Sequence, residues 1–133
     1  GGHNWKIPIP LPECPVPIML IGISLSHAEK DSSDPSIAGF VGTTLQGGVG
    51  YKNYVDVQHP GLHIVAKEVI RRAMESLLSK YRDINSGALP EKLIIYRNGG
   101  SEGSYQAIMK NEFLGKLILL ESKIHIFKGF EKL

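Results

Sequence analysis

The hydrophobic residues of this chain keep two different periods, and the change falls at one place. Up to residue 58 the pattern is that of extended strands; after His59-Pro60-Gly61 it becomes helical, with a repeat of about 3.6 residues. Residues 18–25 form a continuous apolar run broken only by Gly22 and Ser24, as expected of a strand buried on both faces. Residues 36–43 read as a second strand. Residues 51–58 alternate, with Tyr51, Asn53, Val55 and Val57 on one face and Lys52, Tyr54, Asp56 and Gln58 on the other, which predicts a half-exposed strand at a sheet edge. Beyond Gly61 the residues Leu62, Ala66, Val69, Ile70, Ala73, Met74, Leu77, Leu78 and Tyr81 make a wide stripe. That stripe predicts an amphipathic helix of about twenty residues packed on a sheet. Residues 83–90 end it, and the short apolar run 92–97 predicts another buried strand. After Asn98-Gly99-Gly100, Ser101 and Glu102 suit a helix start. The helix it opens would carry Tyr105, Ile108, Met109, Phe113, Leu117 and Leu120 on one side. Strands followed by helix, strand and helix define an α/β domain with a mixed sheet.

The chain has 133 residues, 42% of them hydrophobic, which is one domain with a core of its own. Five of the eight prolines fall at Pro8, Pro10, Pro12, Pro15 and Pro17. Proline fixes φ and removes a backbone donor, so residues 1–17 read as an extended lead-in. The expected division is a lead-in over 1–17, a core over 18–120 and a divergent tail over 121–133. No apolar run approaches the roughly twenty residues of a membrane span, and the N-terminus lacks a signal-peptide pattern. Cys14 is the single cysteine, which excludes an intramolecular disulfide and a cysteine-cluster metal site. The expectation is an intracellular protein, cytoplasmic or nuclear. A formal charge of +2 gives no strong electrostatic footprint.

Three motifs in order carry a family resemblance. Gly1-Gly2-His3-Asn4 is similar to a Gly-Gly-x-Asn signature. Gly22-Ile23-Ser24-Leu25-Ser26-His27, with Pro35-Ser36-Ile37-Ala38-Gly39-Phe40-Val41-Gly42, is similar to Gly-x-Asp-Val-Ser/Thr-His followed by Pro-Ser-Ile-Ala-x-Val-Val-Gly. Tyr96-Arg97-Asn98-Gly99-Gly100-Ser101-Glu102-Gly103-Ser104-Tyr105 is similar to Tyr-Arg-Asp-Gly-x-Ser-Glu-Gly-x-Phe/Tyr. Together they resemble the Piwi domain of the Argonaute and Piwi proteins, over residues 1 to about 117. The resemblance implies a ribonuclease H-like sheet of strand order 3-2-1-4, with room for a fifth strand, and strands 1 and 4 parallel at its centre.

Slicing members of that family cut RNA with two Mg²⁺ ions held by carboxylates, one activating water and the other stabilising the leaving oxygen. The hard ion requires anionic oxygen ligands. By resemblance the two aspartate positions are Ser24 and Asn98 in this chain, and a third carboxylate falls near His63 or Ile64. The fourth ligand comes from beyond residue 133. The expectation is no catalysis, no metal and no cofactor. A rebuilt nuclease site would have to use Glu29, Asp31, Asp34 or Glu102; loop carboxylates are ordinarily solvated, and Glu102 suits a helix N-terminus.

The candidates for contact with nucleic acid are His27, Arg97, Lys67 and Arg71. His27 closes the first motif and serves either a phosphate or the loop's own hydrogen bonds. Lys67 and Arg71 belong to a basic helix side shared with Arg72, Lys80 and Arg82 and offset by Glu68 and Glu75. His59 and His63, four apart around a proline, lack a third ligand for metal binding, and Cys14 lacks a partner base. By resemblance the lysines that hold a guide's 5′ phosphate precede Gly1, leaving only weak, salt-sensitive binding of single-stranded RNA. The expected function is thus a truncated, non-catalytic Piwi-like module, RNA-binding or accessory to small-RNA silencing. The alternatives are a protein-interaction or structural remnant without RNA affinity and an unorthodox metal-dependent ribonuclease. A homodimer through a sheet edge or the tail is expected as well, since uncovered sheet surface favours pairing.

Overall fold

The computed structural model describes residues 17–27, 33–44 and 50–98, together with the backbone of 125–128. The proline-rich lead-in before Pro17 and the helix expected after Ser101 lie outside the described residues. Five strands form one sheet: β1 (Ile18–Ser26), β2 (Ser36–Thr43), β3 (Tyr51–Gln58), β4 (Lys92–Asn98) and β5 (His125–Lys128), with helix α1 (Lys67–Ile84) between β3 and β4. The sheet order is β3-β2-β1-β4-β5. β1 pairs antiparallel with β2 and parallel with β4; β2 pairs antiparallel with β3. The 3-2-1-4 order therefore stands, with parallel β1 and β4 at the centre. The tail supplies the fifth strand, parallel to β4 with Lys92 opposite His125.

Strand alternation sends every second residue toward α1. Met19, Ile21 and Ile23 of β1, Ala38 and Phe40 of β2, and Leu93 and Ile95 of β4 meet Val69, Ile70, Ala73, Met74, Leu77, Leu78 and Tyr81 of α1 in one buried cluster. The helical stripe read from the sequence is this cluster's second half. Gly42 faces this cluster where there is no room for a side chain: a Cβ there would stand 2.5 Å from the Met19 Cε and 3.5 Å from the Leu77 methyls. The helix stops at a left-handed turn. Ser86 and Gly87 have φ of 56° and 88°, and the Gly87 N–H donates to the Arg82 carbonyl at 2.8 Å.

Two expectations change. α1 begins at Lys67, five residues after Leu62, because Gln58 holds the preceding loop in a non-helical path. Its Nε2 donates to the Ile64 carbonyl and its Oε1 accepts from the Ala66 N–H, both at 2.8 Å. β1 is not buried on both faces among the described residues: Leu20 and Gly22 are half-buried and Ser24 is exposed. On the sheet face away from α1, Ile37, Val41, Val55 (63% exposed), Val57 and Tyr96 are exposed among the described residues. In β3, at the sheet edge as expected, the covered side is Tyr54, Asp56 and Gln58, while both valines face outward.

Candidate nucleic-acid interface at the strand ends

β1, β4 and β3 run the same way, so their carboxyl ends share one edge of the sheet. Open α/β sheets bind ligands at this edge, because strand ends and helix N-termini converge there. Ser24 and Asn98, which the motif resemblance sets opposite the family's two aspartates, are register partners on adjacent parallel strands. Both are exposed. Alternation sends Ser24, Tyr96 and Asn98 to the open face and Arg97 to the face that bears α1. The pair offers a hydroxyl and an amide, which donate and accept hydrogen bonds but bring no formal charge.

His27 follows β1 directly. Its Nδ1 shares a 2.9 Å hydrogen bond with the Ser36 hydroxyl, which is buried at the start of β2. Its ring meets that of His63 edge-on, with centroids 5.5 Å apart and planes at 74°. The loop holding His63 is fixed by Gln58, which is buried at 7% exposure and spends both ends of its amide on that loop's backbone. Arg97 donates from Nη1 to the Asn98 carbonyl.

The basic side of α1 is largely committed to its own partners. Arg71 sits between Glu68 at 3.0 Å and Glu75 at 2.8 Å, and these hydrogen-bonded carboxylates raise its pKa further. Arg72 reaches across to Asp56 on β3 at 2.7 Å. Asp56 also accepts from the Tyr54 hydroxyl and the Val57 N–H. Burial pushes the Asp56 carboxyl up, but these hydrogen bonds, that of Arg72 first among them, outweigh it and hold it below the usual carboxylate value. Lys80 donates to the Asn53 carbonyl at 3.0 Å. Lys67 opens the helix and is exposed.

Of the four nucleic-acid candidates, His27 and Arg97 thus stand at the strand-end edge beside Ser24 and Asn98. Lys67 stands at the helix end reached from the same edge, and Arg71 has its charge matched within the helix. Asp34 flanks β2, whereas Glu29, Asp31 and Glu102 lie outside the described residues. Among the described residues no group of three or more His, Cys, Asp or Glu is placed to hold a metal ion, and no helix is long and apolar enough to cross a membrane. Sequence reasoning missed Gln58 and the approach of His63 to His27. A polar residue at an inward position of β3 was the available signal for Gln58. The histidines are 36 positions apart, and only the packing of strand ends brings them together.

A family model described as the Piwi domain matches residues 1–119. Piwi-like protein 1 of Danio rerio is 27% identical over 112 residues, covering 84% of this chain and 12% of that protein. Piwi-like protein Siwi of Bombyx mori is 28% identical over the same shares. The chain therefore spans about one-eighth of the length of these relatives. Among solved structures, the C-terminal lobe of a budding yeast Argonaute superposes with a TM-score of 0.65 at 26% identity, over 73% of this chain and 18% of that one. The Kluyveromyces polysporus Argonaute with a guide RNA gives 0.72 at 20% identity, over 89% and 14%, a likeness of fold. The MID-PIWI domains of N. crassa QDE-2 give 0.63 at 27% identity, over 96% and 38%.

Proposed function

Since the chain belongs to the Piwi domain family, we propose that it is a non-catalytic Piwi module that binds single-stranded RNA by its phosphate backbone and serves small-RNA silencing. One observation carries the loss of catalysis: the register partners at the ends of β1 and β4 are Ser24 and Asn98. Two Mg²⁺ ions need anionic oxygen around them, and a hydroxyl facing an amide supplies none. By the family resemblance the third carboxylate position falls near His63 or Ile64, and neither is a carboxylate.

RNA binding is supported by the family and by Arg97, Lys67 and His27 around the strand-end edge. An interface of so few cations is weak and follows counterion release, with a slope of about −0.7 per phosphate contacted on single strands. The test is a salt titration of a single-stranded RNA in two forms, 5′-phosphorylated and 5′-hydroxyl. Affinity should fall steadily with salt, and the two forms should bind alike. Salt-independent affinity, or a tenfold preference (about 1.4 kcal/mol) for the phosphorylated end, would contradict backbone-only binding.

A second reading rests on the open sheet face. Ile37, Val41, Val55, Val57 and Tyr96 are exposed together opposite α1. A contiguous apolar patch of this kind marks a contact surface for another protein, including a second copy of this chain. On that reading the module acts through assembly, and RNA affinity is absent from the titration above.

A further inference from the structure

We propose that the outer edge of β3 is a strand-pairing site for a second copy of this chain, held closed by Lys80 and Asp56. The phase of the β2–β3 ladder carries the first step. Just past the pair of Thr43 with Tyr51, the Thr44 N–H donates to the Gly50 carbonyl at 3.0 Å. In an antiparallel ladder such hydrogen-bonded pairs alternate with non-bonded ones. The bonded pairs are therefore Gly42–Lys52, Phe40–Tyr54, Ala38–Asp56 and Ser36–Gln58. Tyr51, Asn53, Val55 and Val57 turn their backbone N–H and C=O groups the other way, off the last strand of the sheet.

The composition of that edge favours pairing. β3 has eight residues and no proline, and its Tyr51, Asn53, Val55 and Val57 carry no charge. Such an edge is a template for a further strand. Two of its outward groups are taken by side chains instead. The Lys80 ammonium, on α1, donates to the Asn53 carbonyl at 3.0 Å. Asp56 Oδ1 accepts from the Val57 N–H at 2.9 Å. Its Oδ2 is held by Arg72 of α1 at 2.7 Å and by the Tyr54 hydroxyl at 3.0 Å, which fixes the carboxylate in place.

These two groups point to the partner. When two copies of β3 pair antiparallel about a two-fold axis at Val55, the strands overlap over almost their whole length. Val55 then meets its own copy, and Asn53 meets Val57 of the second copy. In that register the Asn53 carbonyl accepts from the Val57 N–H across the axis. Those are the groups that Lys80 and Asp56 occupy, so both guards block the same bond and symmetry blocks it twice. A shifted register needs the same two groups. With the guards withdrawn, Val55 and Val57, 63% and 56% exposed, gain cross-strand contacts. The inference stands apart from RNA binding and from contact through a sheet face.

The experiment compares the intact chain with Asp56→Ala/Lys80→Ala by amide hydrogen exchange and sedimentation over a range of micromolar concentrations. In the intact chain the Asn53 and Val55 amides should exchange fast at every concentration, and the Val57 amide more slowly. The double variant should associate further as concentration rises, with exchange at Asn53 and Val55 slowed tenfold or more. Adding Val55→Pro, tolerated where an edge N–H points outward, should abolish that association. Lys80→Arg keeps the cation and should leave the edge closed. Concentration-dependent slowing in the intact chain would mean an edge already paired, and slowing at every concentration would mean that another segment of this chain lies on it; either overturns the proposal. So would a double variant that does not associate further, or one that does so while Asn53 and Val55 still exchange fast.

Discussion

Placing carboxylates on the two central strands gives a measurable consequence of the Ser24–Asn98 register. In Ser24→Asp/Asn98→Asp the two groups would sit on adjacent strands about 4.8 Å apart, directly opposite one another. At that distance two negative charges repel by about 0.9 kcal/mol in water and about 3.5 kcal/mol at an effective dielectric constant of 20. Both positions are exposed, so the coupling lies near the lower figure, at about 1 kcal/mol. The assay is a double-mutant cycle by urea unfolding at low salt. Each single aspartate variant should change stability little, and the double variant should be about 1 kcal/mol less stable than their sum. Added Mg²⁺ should relieve part of that loss by bridging the pair, and added NaCl should shrink it by screening. The aspartate pair should still leave RNA uncut, since by resemblance the third carboxylate position falls near His63 or Ile64, neither of which is a carboxylate. Additive single effects would refute the register that makes Ser24 and Asn98 neighbours.

Other outcomes follow from single contacts. Gln58→Ala leaves the Ile64 carbonyl and the Ala66 N–H without their partner and should cost about 2 kcal/mol in urea unfolding; a loss below about 0.5 kcal/mol would remove Gln58 as the clamp at the start of α1. Asp56 has a folded pKa below its ordinary value, so its stabilising effect is present above the ordinary carboxylate pKa and is lost as pH falls through the depressed folded value. Asp56→Asn should therefore remove that acid-side loss, worth about 0.5 kcal/mol for so exposed an ion pair with Arg72, and unchanged acid sensitivity would contradict it. Light scattering at micromolar concentration should give the mass of two chains. Val55→Lys/Val57→Lys on the open face, or cleavage after Ser122 to remove β5, should give one; a monomer indifferent to both changes would rule out the dimer.

Much of the fold was legible because burial leaves a period in the sequence. The runs around Ile21 and Ile94 gave the central strands, and the stripe from Val69 to Tyr81 gave the face of α1. The start of α1 was not legible. Leu62 fits the stripe, yet Gln58 bonds to the backbone at Ile64 and Ala66 and delays the first turn to Lys67. The outward side of β3 was not legible either. Alternation separates two sets of residues but does not say which set is covered, and here Tyr54 and Gln58 go inward while Val55 and Val57 stay out. The candidate site divides the same way. Ser24, Asn98, His27 and Arg97 sit inside motifs, so the resemblance located them. The commitment of Arg71 to Glu68 and Glu75 fits helical spacing of three and four residues. The meeting of His27 with His63, and the bond from Arg72 to Asp56, exist only once strand ends and helix are packed.

The proposal that the paired strand ends do not support cleavage is tested most directly by incubating the chain with end-labelled single-stranded RNA in Mn²⁺. Mn²⁺ is the permissive choice, since it accepts the same oxygen ligands and tolerates a poorer site. The RNA should remain intact over the full course while the same sample retards it in a low-salt binding gel. Metal-dependent cleavage that persists in Glu29→Ala/Asp31→Ala/Glu102→Ala would mean that Ser24 and Asn98 do not occupy the positions given to them here.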